Sequence, residues 1–206
     1  MEPYPLPTPE PGRLYRFAWG LYLFLALAAV IWIGVRQGVI PLSLFVDTKR
    51  WWLDLGLGAA AGLILLAVWW GAERLFPLAR ELGDRLASLL GPITAAEALA
   101  LALLSGFAEE LFFRGAIQGT LGWVAAALLF GLLHSGPGKA FRVWTLFALF
   151  AGVLLGLLMK WRGNLLGPIV GHVLVNAINL RRLASQAAGD SARLPPRGEA
   201  QSEKEI

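Results

Sequence analysis

Two adjacent carboxylates and an arginine stand in the stretch Ser105-Gly106-Phe107-Ala108-Glu109-Glu110-Leu111-Phe112-Phe113-Arg114-Gly115, which is apolar on both sides. A charge in hydrocarbon costs at least about 2.5 kcal/mol, so such residues mark a function or a buried pair. On a helix Glu110 and Arg114 are i,i+4 with the acid N-terminal, the favourable order for an ion pair. Glu109 has Phe113 at its own i+4 position and no local partner. The spacing therefore ties Glu110 to Arg114 and leaves Glu109 free for chemistry. The chain's two histidines, His134 and His172, also lie in apolar surroundings, and Asn176 follows His172 at i+4.

Composition says what must position these residues. The chain has 206 residues, of which 57% are hydrophobic and 16% charged, and several apolar runs approach the ~20 residues of a spanning helix. The expected fold is all-α: a polytopic membrane bundle of about six transmembrane helices and one interfacial amphipathic helix. The net charge of +4 is spread over loops, which fits topology signals and headgroup contacts and argues against nucleic acid. The absence of cysteine excludes disulfides, thiolate metal sites and cysteine nucleophiles.

Residues 1–12 place proline at every second position and read as a disordered arm. They lack the basic start of a signal peptide, so no cleavage is expected. Residues 13–184 form the bundle. Its spans are expected at about 17–35, 52–70, 94–119, 123–134, 141–159 and 165–180. Trp51-Trp52 and Trp69-Trp70 bracket the second span roughly 26 Å apart at 1.5 Å per residue, as an aromatic belt would. In 73–90, Leu75, Leu78, Leu82, Leu86 and Leu89 recur at helical spacing while Arg80, Glu81, Asp84 and Arg85 fill the other face. That pattern suits a helix lying in the interface, or a solvated loop helix. Thr94-Ala95-Ala96-Glu97 matches a capping box and starts a new helix. A tight turn is expected near 120–122. Residues 185–206 are polar and read as a disordered tail. The bias of Lys and Arg puts both termini in the cytoplasm. Gly58-x-x-x-Gly62, Gly152-x-x-x-Gly156 and Gly167-x-x-x-Gly171 allow close helix contacts, expected within the bundle rather than in a dimer.

The depths agree. Measured from the turn near 120, Glu109 lies roughly 16 Å down one helix and His134 roughly 20 Å down the next. From the turn near Gly163, His172 and Asn176 lie at roughly 14 and 19 Å. Taken singly, His134 could be a helix-end histidine, and His172 with Asn176 an interhelical clamp. Together they suggest one polar site in the bundle interior.

Glu109-Glu110-x-x-x-Arg114, Phe130-x-x-x-His134 and His172-x-x-x-Asn176 resemble the three ordered motifs of the CPBP family. This is the CAAX-protease and bacteriocin-processing, or Abi, family, which includes the Ras-converting prenyl-protein endopeptidases. The resemblance covers about 94–180, with a shortened connection between Gly115 and His134 as its one departure. It implies an intramembrane endopeptidase whose cavity opens toward the cytosol. Glu109 and His134 would activate water, His172 and Asn176 would stabilise the oxyanion, and Glu110 with Arg114 would support the site. No cofactor is favoured. Zinc held by Glu109, His134 and His172 is the runner-up, since two histidines and a glutamate are a hydrolytic ligand set. The expected partners are the lipid bilayer and a peptide or membrane-protein substrate, in a prokaryotic cell membrane. The alternative from another class is a non-catalytic adaptor, immunity factor or chaperone that keeps the polar cluster as a clamp.

Overall fold

The computed structural model describes residues 13–193, which are helical with short connections and contain no strand. The helices are α1 (Arg13–Gln37), α2 (Leu42–Phe45), α3 (Trp51–Leu75), α4 (Pro77–Leu90), α5 (Ala95–Glu110), α6 (Gln118–Leu133), α7 (Lys139–Arg162) and α8 (Leu166–Arg193). A π-helical segment, Leu111–Ile117, joins α5 to α6. Four stretches are long and apolar enough to cross a membrane: Tyr15–Gln37, Trp51–Leu75, Ala95–Leu133 and Lys139–Arg162. The third is folded in two at Gly122, whose φ of 85° lies outside the helical region and is readily open only to glycine. A straight helix would hold Glu109 and His134 about 37 Å apart at 1.5 Å per residue. Their side chains instead approach to 3.6 Å, so the chain reverses at the turn expected near 120–122.

The distribution of side chains is that of a membrane bundle. Leu23, Phe24, Leu27, Leu103, Leu128 and Leu146 point outward, while Asp54, Glu109, Glu110, Arg114, Asn164 and His172 are buried. Apolar residues can face lipid at no cost, whereas intramembrane charge is stable only among partners in the interior.

Local signals set the boundaries. Thr94 Oγ1 accepts from the Glu97 N–H at 3.2 Å, and the Glu97 carboxylate accepts from the Thr94 N–H at 2.7 Å, so the expected capping box starts α5. Pro77 opens α4, where its missing N–H costs nothing. Arg80, Glu81, Asp84 and Arg85 of α4 face outward as expected, while Ala79, Leu82, Gly83 and Ala87 are buried where the helix packs on α7 and α8.

Helix α8 is the central element and packs against α3, α4, α5 and α7. The small-residue motifs explain its approach to α3. A Cβ on Gly58 would lie 2.9 Å from Val170 Cβ, and one on Gly62 would lie 2.9 Å from the Gly171 carbonyl oxygen. Two of the glycine pairs therefore face each other inside the bundle, as expected. The expectation that a tail begins at 185 fails over its first residues, because α8 runs on to Arg193. Ala184 and Ala187 are buried, and packing of α8 on α4 holds a sequence whose polarity alone suggested disorder. The arm at 1–12 and the tail beyond Arg193 lie outside the described residues.

A second buried charge cluster sits where α3 begins and α7 ends. Asp54, fully buried, accepts from Arg162 Nε at 2.6 Å and from Asn164 Nδ2 at 2.9 Å. Asp47 adds a second carboxylate 3.4 Å from Arg162. This cluster ties the α7–α8 turn to α3. It was missed because Arg162 reads in sequence as a loop residue that sets topology.

Candidate active site

The site is built where α5, the π segment, the end of α6 and the middle of α8 converge. Gly106 makes the convergence possible, since a Cβ there would lie 3.0 Å from the Val173 backbone nitrogen and 2.6 Å from its Cγ2. The backbones of α5 and α8 can thus approach closely enough for their polar side chains to meet. Replacing Gly106 by valine is expected to cost about 1–3 kcal/mol by overpacking. It should lower any activity of the site further, because it separates His172 from Glu110. A thermal melt paired with an activity assay checks both effects.

The pairing of Glu110 with Arg114 is present, at 2.8 Å between Arg114 Nη1 and Glu110 Oε1, with both side chains buried. The same Glu110 oxygen also lies 2.7 Å from His172 Nδ1, a contact the sequence did not reveal. An oxygen that already accepts from the guanidinium takes a second hydrogen bond as acceptor, so Nδ1 is the donor. His134 is fixed similarly. Its Nδ1 lies 2.7 Å from the Phe130 carbonyl oxygen, and a carbonyl only accepts, so Nδ1 is the protonated nitrogen. That carbonyl is one of the groups left without a partner at the end of α6, where His134 is the cap residue.

Both imidazoles therefore turn Nε2 inward, toward the same atom. Glu109 Oε2 lies 3.6 Å from His134 Nε2 and 4.0 Å from His172 Nε2. It is buried and accepts no hydrogen bond from any described residue. Phe130 packs among all three arms of the site. Its ring lies 4.4 Å from that of His134 and 5.9 Å from that of His172, and the Arg114 guanidinium sits over it at 4.5 Å. Such a cation over an aromatic face is attracted by the ring quadrupole. Trp144 meets the other side of His134 edge-on at 5.5 Å.

Asn176 donates from Nδ2 to Ser105 Oγ at 2.9 Å, and Ser105 in turn donates to the Ala102 carbonyl. One amide hydrogen is spent on α5, and the second remains for another acceptor. Ser105 stands one helical turn before Glu109 on α5, and its contact with Asn176 depends on how α8 packs against α5. The π segment begins directly after Glu110, and its last hydrogen bond runs from the Gln118 N–H to the Phe113 carbonyl, an i→i−5 bond. Such widened turns recur at functional sites. Nothing in the residue pattern announced it, and a regular helix through 119 was the expectation.

Glu109, His134, His172, Asn176 and Ser105 share the wall of one cavity of about 440 Å³. Its other lining is largely apolar and includes Trp69, Phe141, Trp144 and Phe147. Tyr22 of α1 lines it too, and its hydroxyl faces the Glu109 carboxylate. An ion pair, Arg182 Nη1 to Glu73 Oε2 at 2.9 Å, lies on the exposed side of the cavity. An apolar cavity with a few converging polar groups is the usual form of a binding or catalytic site.

Two comparisons with known proteins find matches to the chain. Residues 91–178 match the family model described as Type II CAAX prenyl endopeptidase Rce1-like. The likeness carried by the three motifs thus extends to a family model that this segment, less than half of the chain, resembles. Over 80 residues the chain is 39% identical to YpbD, an uncharacterized protein of Bacillus subtilis (strain 168). That match covers 38% of this chain and 41% of YpbD, less than half of either. No solved structure matches the chain.

Proposed function

We propose that the chain is an intramembrane endopeptidase of the CAAX-protease type. The observation that carries this is the convergence of Glu109 Oε2 with the Nε2 atoms of His134 and His172 on one cavity wall. A separation of 3.6 Å is slightly long for a direct hydrogen bond, and both groups can turn to one water bound beside them. Glu109 would take a proton from that water as it attacks the scissile carbonyl, with His134 Nε2 holding the water's second hydrogen. The developing oxyanion would accept from the free Asn176 N–H and from His172. His172 donates from Nε2 only when it carries both protons, with the Glu110 carboxylate against its Nδ1. Glu109 would then pass its proton to the leaving amine.

The proposed substrate is a peptide or a membrane-protein terminus, reached from the cytoplasmic face of a prokaryotic membrane, with both chain termini proposed to lie on that side. The unprenylated class is the one proposed. Glu109, His134 and His172 also make a donor set of the type that binds zinc. The metal-free route is the reading adopted because zinc would consume the Glu109 carboxylate as a ligand and leave Glu110, engaged with Arg114, as a poor base. The clamp alternative is favoured by one observation, the buried Glu110–Arg114–His172 network, which would serve packing without any reaction.

Incubating the purified protein with an unprenylated peptide library and a farnesylated reporter tests the function. Cleavage of unprenylated peptides, retained after chelation and with no stoichiometric zinc by elemental analysis, is the expected result. About one zinc per chain, with activity lost on stripping and restored by zinc, would overturn the metal-free route. No cleavage of any probe would overturn the peptidase reading and favour the clamp.

A further inference from the structure

One polar group in the cavity is used by neither the motifs nor the packing. Asn179 lines the cavity together with Glu109, His172 and Asn176. Its Oδ1 is buried and accepts no hydrogen bond from any described residue. A buried polar atom left without a partner is costly, and native structures retain few of them. Glu109 Oε2 is the other such atom on this wall, and it faces the reacting position. At about 100° per residue, positions 172, 176 and 179 fall within a sector of about 60° on α8, so the three side chains share one face. Asn179 stands roughly 4.5 Å beyond Asn176 along the helix axis. An extended peptide advances about 3.3 Å per residue, so this distance corresponds to one or two residues beyond the scissile bond.

We propose that the Asn179 amide is a subsite for the substrate's backbone, hydrogen-bonding a peptide group one or two residues from the cleaved bond on the side leading to Arg182. This rests on the peptidase reading above and names a residue that determines how the peptide is held. A carboxamide offers one acceptor and two donors, which matches the N–H and C=O that an extended strand presents. Backbone recognition suits a cavity whose other walls are largely apolar, because it fixes register without demanding particular side chains.

The test uses Asn179→Leu and Asn179→Ala in the full-length protein. Peptides that the wild type cleaves serve as probes, together with versions carrying a single backbone N-methyl group at each position in turn. Removing a costly unpaired acceptor should leave the melting temperature unchanged or raise it for Asn179→Leu. The same change should lower kcat/KM about tenfold, mainly through KM. One N-methyl position should impair cleavage by the wild type and have little further effect in Asn179→Leu, the coupling expected of groups in contact. Binding of fluorescent peptide to Glu109→Gln, with and without Asn179→Leu, should show the same tenfold loss without turnover. Unchanged kcat/KM and binding in both variants would overturn the subsite, as would a marked fall in melting temperature, which would make Asn179 structural. Failure of the wild type to cleave any peptide would instead remove the peptidase reading, and the subsite with it.

Discussion

Glu109→Gln is expected to lower peptide cleavage by about 10²–10⁴-fold, the usual contribution of a positioned general base, while leaving the fold intact. Glutamine keeps the shape of the side chain and removes its ability to take a proton. The structure explains why the fold should tolerate the change. Glu109 Oε2 accepts no hydrogen bond from any described residue, and the Tyr22 hydroxyl that faces the carboxylate can still donate to a glutamine carbonyl oxygen, so no partner is stranded. The distances to His134 and His172, 3.6 and 4.0 Å, are also too long for contacts that carry much stability. Cleavage rates at matched concentrations of folded protein, with melting curves beside them, check both halves. A strongly destabilised variant whose activity tracks the amount of folded protein would make Glu109 part of a clamp.

Arg114→Ala should do the opposite, losing the fold first. Removing one partner of a buried ion pair typically costs about 3–5 kcal/mol, because the other charge is left behind. Here the abandoned group is Glu110, which is fully buried and would keep only His172 Nδ1 against its Oε1. The guanidinium's contact with the Phe130 ring would go as well, loosening the residue packed on both histidines. Folded yield and melting temperature should therefore fall well below those of Glu109→Ala. Equal melting of the two variants would remove the division of labour between the adjacent glutamates.

The residues themselves showed how far sequence could go. The helical period separated Glu109 from Glu110, and the i,i+4 pair with Arg114 is present because both partners lie on one stretch of chain. The capping box at Thr94 was equally legible, being built within four residues. The second contact of Glu110, to His172, was not legible. It depends on how α8 is rotated against α5, and that rotation is set by glycine and valine packing at Gly106 and Val173. Asp54 escaped for a related reason: its partners, Arg162 and Asn164, are more than 100 residues away. Tyr22 and Asn179 lie outside the three motifs, and only the folded bundle brings them to the same cavity as Glu109. The extension of α8 to Arg193 was hidden by polar composition, which describes an isolated segment and not one packed on α4.

The most direct test of the central claim is mass spectrometry of peptide products from wild type, Glu109→Gln and His134→Asn, each reconstituted in lipid vesicles at equal amounts of folded protein. The wild type should generate new peptide termini from unprenylated substrates, and both variants should leave the same peptides intact. Identical product profiles from all three proteins would contradict the assignment of Glu109 and His134 as the pair that activates water.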